Sequence, residues 1–77
     1  MPHISIKMFK GRTEEQKLKA AQRLRDTLCD ELGCTEDIVS VTVEDYTPEE
    51  WPEVFKSDIA DNPNVIIKPN YKPEGFL

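Results

Sequence analysis

The second residue of this 77-residue chain, Pro2, has the most unusual chemistry available in the sequence. An initiator methionine is normally removed when the next residue is as small as proline, and its removal leaves Pro2 with a free secondary amine. An α-amino group has an ordinary pKa of about 7.7–8.0, which desolvation or a nearby cation lowers, so such an amine can act as a general base near pH 7. Many proteins begin with Met-Pro, so a purely structural proline is the competing interpretation.

The motifs that carry catalysis in most other enzymes are mostly missing from this sequence. A single histidine cannot build a histidine-dependent metal cluster, and Cys29 and Cys34, five positions apart with no second pair, are poorly spaced for zinc. There is no glycine-rich phosphate loop and no serine in a nucleophile-elbow motif. We interpret both cysteines as packing or surface thiols, and the sequence implies no cofactor and no metal.

Two alternating segments predict strands. Residues 3–9 place apolar side chains on one face and polar side chains on the other, which is the pattern of a half-buried strand directly after Pro2. Residues 38–44 alternate in the same way. Because a long helical segment separates the two strands, we expect them to be parallel, in a βαβ unit with a right-handed crossover.

The helical segment covers residues 13–32. Thr13 and Gln16 form a T-x-x-Q capping box at its start, and Gly33 is a typical stop residue directly after its end. Its apolar residues recur at spacings of three or four and give the helix one apolar stripe. The stripe consists of Leu18, Ala21, Leu24, Leu28 and Leu32.

The last third of the chain is less regular. Thr47 and Pro48 are a good helix start, with Thr47 as the cap, and the helix is expected to run through Phe55 or Lys56. Residues 65–67 are a short apolar run that suits either a strand or an arm. A two-stranded sheet cannot close a core, so the predicted architecture is an α/β fold. It is a single domain over residues 1–77, one βαβ unit with a short C-terminal helix and arm, whose sheet is completed by oligomerisation.

Arg12 is the second residue with a candidate chemical role. It lies about ten residues from Pro2, which corresponds to roughly 33 Å of extended strand, so Arg12 cannot reach the proline of its own chain. It can reach the Pro2 of an antiparallel neighbour. A shared site would therefore require an oligomer, although a solvated turn residue is the simpler interpretation of Arg12. Chain length agrees with an oligomer, because a monomer of this size buries only about 63% of its surface.

Composition excludes several function classes. The net charge is −5 and the isoelectric point is near 4.8, which argues against a nucleic-acid partner and against an anionic membrane surface. No apolar run approaches the roughly 20 residues of a membrane span, and the first residues lack the apolar core of a signal peptide. With two free thiols expected, we predict a cytoplasmic location.

These features together resemble the 4-oxalocrotonate tautomerase family of the tautomerase superfamily. The resemblance depends on Pro2 at the start of a strand, on the turn FKGRTEEQK at residues 9–17, and on the length of the βαβ unit. It covers roughly residues 2–51. The segment KPNY at residues 68–71 also resembles the tails of longer members of that family.

The resemblance implies roles for three residues. Pro2 matches the amino-terminal proline that moves a proton between carbons of a 2-hydroxydienoate or enol substrate. Arg12 matches an arginine that binds a substrate carboxylate, for which a bidentate guanidinium is well suited. Trp51 falls where the family has an aromatic residue in the pocket wall, although from the sequence alone it suits an ordinary core aromatic of a short helix equally well.

Ser40 departs from the family pattern. The resemblance implies a second arginine at this position, which polarises the substrate carbonyl, whereas serine donates only a neutral hydrogen bond. Either another group supplies the missing donor, with His3, Lys7 and Lys68 as candidates, or activity on dicarboxylate dienols is weak. Ser40 is retained as a substrate-binding candidate.

The sequence therefore predicts an isomerase: a tautomerase without cofactor that uses Pro2 as general base on a small carboxylate substrate. We expect a homo-oligomer, a dimer before a trimer of dimers. One alternative is a hydratase-like or dehalogenase-like enzyme, in which Pro2 is a general acid and Glu44 or Asp45 activates water. The other is a small interaction module with a structural proline.

Overall fold

Two strands and the long helix between them form the first of two compact units in the computed structural model, which describes residues 1–72. Strand β1 (His3–Phe9) is followed by helix α1 (Glu14–Leu32), a 3-10 turn (Glu36–Ile38) and strand β2 (Ser40–Tyr46). β1 and β2 are neighbours in a two-stranded parallel sheet. The predicted βαβ unit is thereby confirmed.

Both predicted end signals of α1 are present. The Thr13 hydroxyl accepts a hydrogen bond from the Gln16 N–H at 3.1 Å, and the Thr13 N–H donates to the Gln16 side chain at 2.9 Å. This reciprocal box satisfies two N–H groups that the first turn of a helix leaves unpaired. At the other end, Gly33 adopts the left-handed conformation, with φ of 71°, which a residue without a side chain reaches at little cost.

Strand β2 begins two residues later than the sequence pattern predicted, at Ser40 rather than at residue 38. The reason is the 3-10 turn: Ile38 N–H donates to the Thr35 carbonyl at 3.3 Å, and Val39 N–H donates to the Glu36 carbonyl at 3.2 Å. Those donors are used inside the turn and cannot join the sheet. The predicted alternation is nevertheless retained within β2, where exposed and partly buried residues take turns.

The single chain has almost no closed core. Among residues 1–72 only Cys29 is buried, at 9% exposure, while three leucines of the predicted stripe, Leu18, Leu24 and Leu32, are 60%, 47% and 63% exposed. The apolar stripe predicted for α1 is therefore only partly covered within residues 1–72 of a single chain. A sheet of two strands is too narrow to cover the apolar side of a helix of 19 residues.

The second unit begins at Tyr46 and contains helix α2 (Trp51–Phe55), which continues into a π-helical turn (Lys56–Ala60). Thr47 caps the segment as predicted, since its hydroxyl accepts from the Glu50 N–H at 3.2 Å and its own N–H donates to the Glu50 carboxylate at 2.7 Å. Regular α-helix starts only at Trp51, because Pro52 has no N–H to donate to the carbonyl four residues earlier.

Residues 61–72 form an irregular arm. The Asn62 side chain organises its first turn by accepting from the Asn64 N–H at 2.9 Å and donating to the Asp58 carbonyl at 3.1 Å. The sequence predicted either a strand or an arm for residues 65–67, and the structure shows an arm. Within it, the side chains of Ile66 and Ile67 are 94% and 89% exposed. Within the described part of the chain, no helix is both long and apolar enough to cross a membrane.

Candidate active site

Pro2 is anchored at the point where the two strands begin to pair. The Ser40 N–H donates to the Pro2 carbonyl at 3.3 Å, which ties the residue before β1 to the first residue of β2. Pro2 is partly buried, whereas Met1 is 97% exposed. While Met1 is attached, the Pro2 nitrogen is a peptide nitrogen. Its removal would leave an amine held by the sheet instead of one on a frayed end.

Ser40 and His3 are in direct contact on the exposed face of the sheet. The His3 Nδ1 atom lies 2.6 Å from the Ser40 Oγ atom, and its Nε2 atom lies 3.3 Å from the Thr42 Oγ1 atom. Parallel pairing with two-residue periodicity places these three side chains on one face. The sequence singled out Ser40 and offered His3 as one of three alternatives. It missed Thr42, which the same alternation could have revealed.

Lys7 lies further along the same face and is engaged in an ion pair. Its ammonium group donates to the Glu44 carboxylate at 3.0 Å, with the lysine side chain 28% exposed. Its positive charge is thus matched by a carboxylate on the neighbouring strand. Lys68 belongs to the exposed arm of the second unit.

Asp45 is the second carboxylate near the end of β2. The Lys17 ammonium donates to it at 2.9 Å and also pairs with Glu14 at 2.9 Å, so it connects α1 to β2. The hydrogen bond with Asp45 and, next, the one with Glu14 raise the pKa of Lys17 above its ordinary value. The other oxygen of Asp45, Oδ1, is buried and has no hydrogen-bond partner within residues 1–72.

Arg12 stands apart from Pro2 in the single chain. It follows Gly11, whose φ of 128° reverses the chain between β1 and α1. β1 has seven residues and spans roughly 23 Å, and Pro2 precedes its first residue whereas Arg12 lies beyond its last. The Arg12 side chain is exposed, and within the described residues it makes no hydrogen bond and no ion pair. One chain therefore does not bring the two residues together.

Trp51 belongs to an aromatic cluster of the second unit. Its indole N–H donates to the Tyr71 hydroxyl at 3.2 Å, and its ring meets Tyr46 edge-on with centroids 6.3 Å apart. Tyr71 also packs against Phe55 with centroids 5.4 Å apart. The sequence predicted Trp51 alone. Its partner Tyr71 comes from the KPNY segment, which suggested a tail resemblance but no contact.

An open cavity of about 600 Å³ lies in the same unit, between the π-helical turn and the arm. Phe55, Ile59, Val65 and Tyr71 contribute apolar surface to it, and Lys68 adds a cation. Trp51 does not line this cavity, and its hydrogen-bond partner Tyr71 belongs both to the aromatic cluster and to the cavity wall.

Comparison with known proteins gives consistent results. Residues 2–52 match the family model described as "Tautomerase enzyme". A protein of Xylella fastidiosa named "Probable tautomerase" is 38% identical over 73 residues, covering 92% of this chain and 89% of that protein. Tautomerase PptA of Klebsiella pneumoniae is 37% identical over 73 residues, covering 92% of this chain and 97% of its own.

A solved structure agrees with these matches. The crystal structure of TomN, described as a 4-oxalocrotonate tautomerase homologue in the tomaymycin biosynthetic pathway, superimposes with a TM-score of 0.63 at 28% identity. The alignment covers 65% of this chain and 77% of TomN. The βαβ unit of this chain agrees with a tautomerase fold of that kind.

Proposed function

The chain belongs to the tautomerase family of enzymes, and from this premise we propose that Pro2, freed of Met1, is the general base of a keto–enol proton transfer. The substrate class is a small 2-oxo or 2-hydroxydienoate carboxylate. The observation that carries the proposal is the hydrogen bond from Ser40 N–H to the Pro2 carbonyl at 3.3 Å, which holds the residue at a fixed place beside the exposed strand face.

The chemistry requires a neutral amine and an accessible one. An amino-terminal proline has a secondary amine with an ordinary pKa close to physiological pH, and general bases work best under that condition. The 97% exposure of Met1 supports its removal by an aminopeptidase. In the reaction the amine takes the proton of the enol hydroxyl and delivers a proton to the far carbon of the enol double bond, so that the carbon–carbon double bond is replaced by the carbonyl of the keto form and the amine is neutral again.

Arg12 is assigned to the substrate carboxylate. Its guanidinium is exposed and has no carboxylate partner within residues 1–72, so it has two parallel N–H donors to offer a planar anion. Because Arg12 and Pro2 lie beyond opposite ends of β1, the arginine of each site comes from a second chain.

A dimer is the assembly that we propose, with a trimer of dimers as the second choice. Each strand of the two-stranded sheet has one edge that no other strand of residues 1–72 occupies. Leu18, Leu24, Leu32, Ile66 and Ile67 are apolar and exposed. Pairing β1 with the β1 of another copy in antiparallel orientation covers an edge and brings Arg12 to the neighbour's Pro2.

Ser40 is assigned to the substrate carbonyl, with His3 as its positioning residue. When His3 carries a proton on Nδ1, that N–H donates to Ser40 Oγ, and the serine O–H is then free to donate to substrate. Lys7 is a weaker candidate for this task because its charge is paired with Glu44 at 3.0 Å.

Trp51 is assigned to an apolar wall of the pocket. Its hydrogen bond to Tyr71 and its edge contact with Tyr46 keep the indole in one orientation. An apolar wall disfavours the charged form of an amine beside it. The amine then stays neutral and is able to accept a proton. Replacing Trp51 by Phe is expected to retain most activity, whereas Trp51→Ala is expected to lower it.

The hydratase-like alternative needs a carboxylate that activates water. Glu44 is paired with Lys7, and Asp45 is paired with Lys17, so each candidate carboxylate is already engaged by a lysine ammonium group. Membership in a family of enzymes argues against the second alternative, a small interaction module with a structural proline. We also expect the enzyme in the cytoplasm, on the basis of its composition.

The test is a ketonisation assay with phenylenolpyruvate and 2-hydroxymuconate. Three samples are compared: protein whose loss of Met1 has been verified by mass, the same chain with Met1 retained, and the Pro2→Ala variant. We expect activity only in the first, with a loss of at least about 10²-fold in the variant. Equal rates in all three samples would remove Pro2 from the mechanism.

A further inference from the structure

The two cysteines, which the proposed function does not use, meet at the C-terminal end of α1. The Cys29 carbonyl accepts hydrogen bonds from the Gly33 N–H at 2.8 Å and from the Cys34 N–H at 3.1 Å. Gly33 makes this turn in the left-handed conformation. A helix end of this kind brings the side chain before the turn into contact with the side chain just after it. Here those two side chains are Cys29 and Cys34.

The pair is asymmetric in exposure. Cys29 is 9% exposed, whereas Cys34 is partly exposed, and both are free thiols. Burial and, next, a hydrogen bond with the Cys34 side chain raise the pKa of Cys29 above its ordinary value, and the nearby Asp26 acts in the same direction. A reagent from solution therefore meets Cys34 first, and Cys29 lies behind it.

We propose that Cys29 and Cys34 form an oxidative modification site, which low-molecular-weight disulfides such as oxidised glutathione convert into an intramolecular disulfide. In the first step, the Cys34 thiolate attacks one sulfur of the glutathione disulfide. A mixed disulfide forms, the original sulfur–sulfur bond breaks, and one glutathione thiolate leaves.

In the second step, Cys29 loses its proton to solvent and attacks the Cys34 sulfur of the mixed disulfide. The bond between Cys29 and Cys34 forms, and the second glutathione leaves as a thiolate. Overall the protein loses two electrons and two protons, and one glutathione disulfide is reduced to two glutathione thiols.

Two features of the structure favour closure within the chain. The hydrogen bond of 3.1 Å between the Cys34 N–H and the Cys29 carbonyl fixes the two backbones side by side, which is the first requirement for a disulfide. The burial of Cys29 also shields it from thiols of other molecules. The site depends only on the cap of α1 and is independent of the proposed function.

The test exposes the reduced full chain to oxidised glutathione at neutral pH, followed by acid quenching and measurement of the intact mass. The wild type is expected to lose the mass of two hydrogen atoms. The variant Cys29→Ser is expected to gain one glutathionyl group at Cys34 and to keep it. The variant Cys34→Ser is expected to react far more slowly, because its remaining thiol is buried.

A second measurement uses the wild type alone and does not depend on whether the variants fold. The rate at which the mixed disulfide converts into the intramolecular disulfide is measured in buffer and in concentrated urea. We expect this rate to be at least about tenfold higher in the folded chain, because the helix cap holds the two cysteines together. The proposal is overturned if the wild type keeps the glutathionyl group, forms disulfides between chains, stays unmodified, or closes equally fast in urea.

Discussion

The imidazole of His3 connects the two strands through the hydroxyl of Ser40, with 2.6 Å between Nδ1 and Oγ. This contact forms one residue after Pro2, whose carbonyl also accepts from the Ser40 backbone. Ser40 is therefore held twice, once through its main chain and once through its side chain. A serine in this setting has a defined hydroxyl direction, which a neutral donor needs if it is to polarise a substrate carbonyl.

From this contact we predict that Ser40→Ala lowers kcat/KM by about 2- to 12-fold, the range expected for one neutral hydrogen bond. His3→Ala is predicted to have a similar effect, because it releases the serine. If His3 acts through Ser40, the double variant is no slower than Ser40→Ala alone. The three variants are compared in the ketonisation assay.

Ser5→Ala is the matched control for this cycle, since Ser5 lies exposed on the same strand as His3 and is assigned no role. It is expected to leave the rate unchanged. If the losses of transition-state free energy from the two single variants add up in the double variant, His3 acts independently of Ser40.

The separation of Pro2 and Arg12 along β1 leads to a prediction about subunit sharing. Pro2→Ala and Arg12→Ala are each expected to be strongly impaired, the latter by about 10- to 100-fold through loss of a charge-assisted contact. In a mixed dimer, one site combines both defects and the other combines two intact residues. A random mixture of the two variants should therefore recover about a quarter of the wild-type activity.

The mixture is made by co-expressing the two variants with different affinity tags, and each variant expressed alone is the control. Activity no greater than the sum of the separate variants would mean that Pro2 and Arg12 do not share a site across chains.

The contact of Lys17 with Asp45 and Glu14 predicts a pH-dependent stability. The pKa of Lys17 is raised in the folded chain, so its contribution is fully present below the ordinary value of 10.5 and is lost as pH rises through the folded value. Lys17→Met should lower Tm at pH 8, and the difference from wild type should shrink above about pH 10.5.

Lys19→Met serves as the control, because Lys19 is exposed on the same helix and forms no ion pair within residues 1–72. A Tm difference between Lys17→Met and wild type that stays constant from pH 8 to about pH 12 would argue against the ion pair as its source.

The capping box of α1 predicts a local loss of stability. Thr13→Ala removes the acceptor for the Gln16 N–H and is expected to lower the free energy of unfolding by about 1 kcal/mol. Thr27→Ala, in an exposed position inside the same helix, should be neutral or slightly stabilising. Urea unfolding of the two variants measures the difference, and equal midpoints would mean that the cap contributes nothing.

The sequence by itself determined the elements whose signals are local. β1 has the predicted bounds, and α1 begins after Thr13 and ends before Gly33, because capping hydrogen bonds and a left-handed glycine involve only neighbouring residues. Pro2 and Arg12 could likewise be singled out from residue type and spacing. The resemblance to the family depended on Pro2, on the turn at residues 9–17 and on the length of the βαβ unit.

Only the tertiary structure decided the rest, because these features depend on contacts between distant residues or on groups that compete for the same donor. The turn at Glu36–Ile38 takes N–H donors that the alternation had assigned to β2. His3 contacts Ser40 and Thr42 only because the two strands pair. The hydrogen bond between Trp51 and Tyr71 joins residues 20 positions apart in the sequence. The exposed leucines of α1 follow from the width of the sheet, a property that no single segment of the chain encodes.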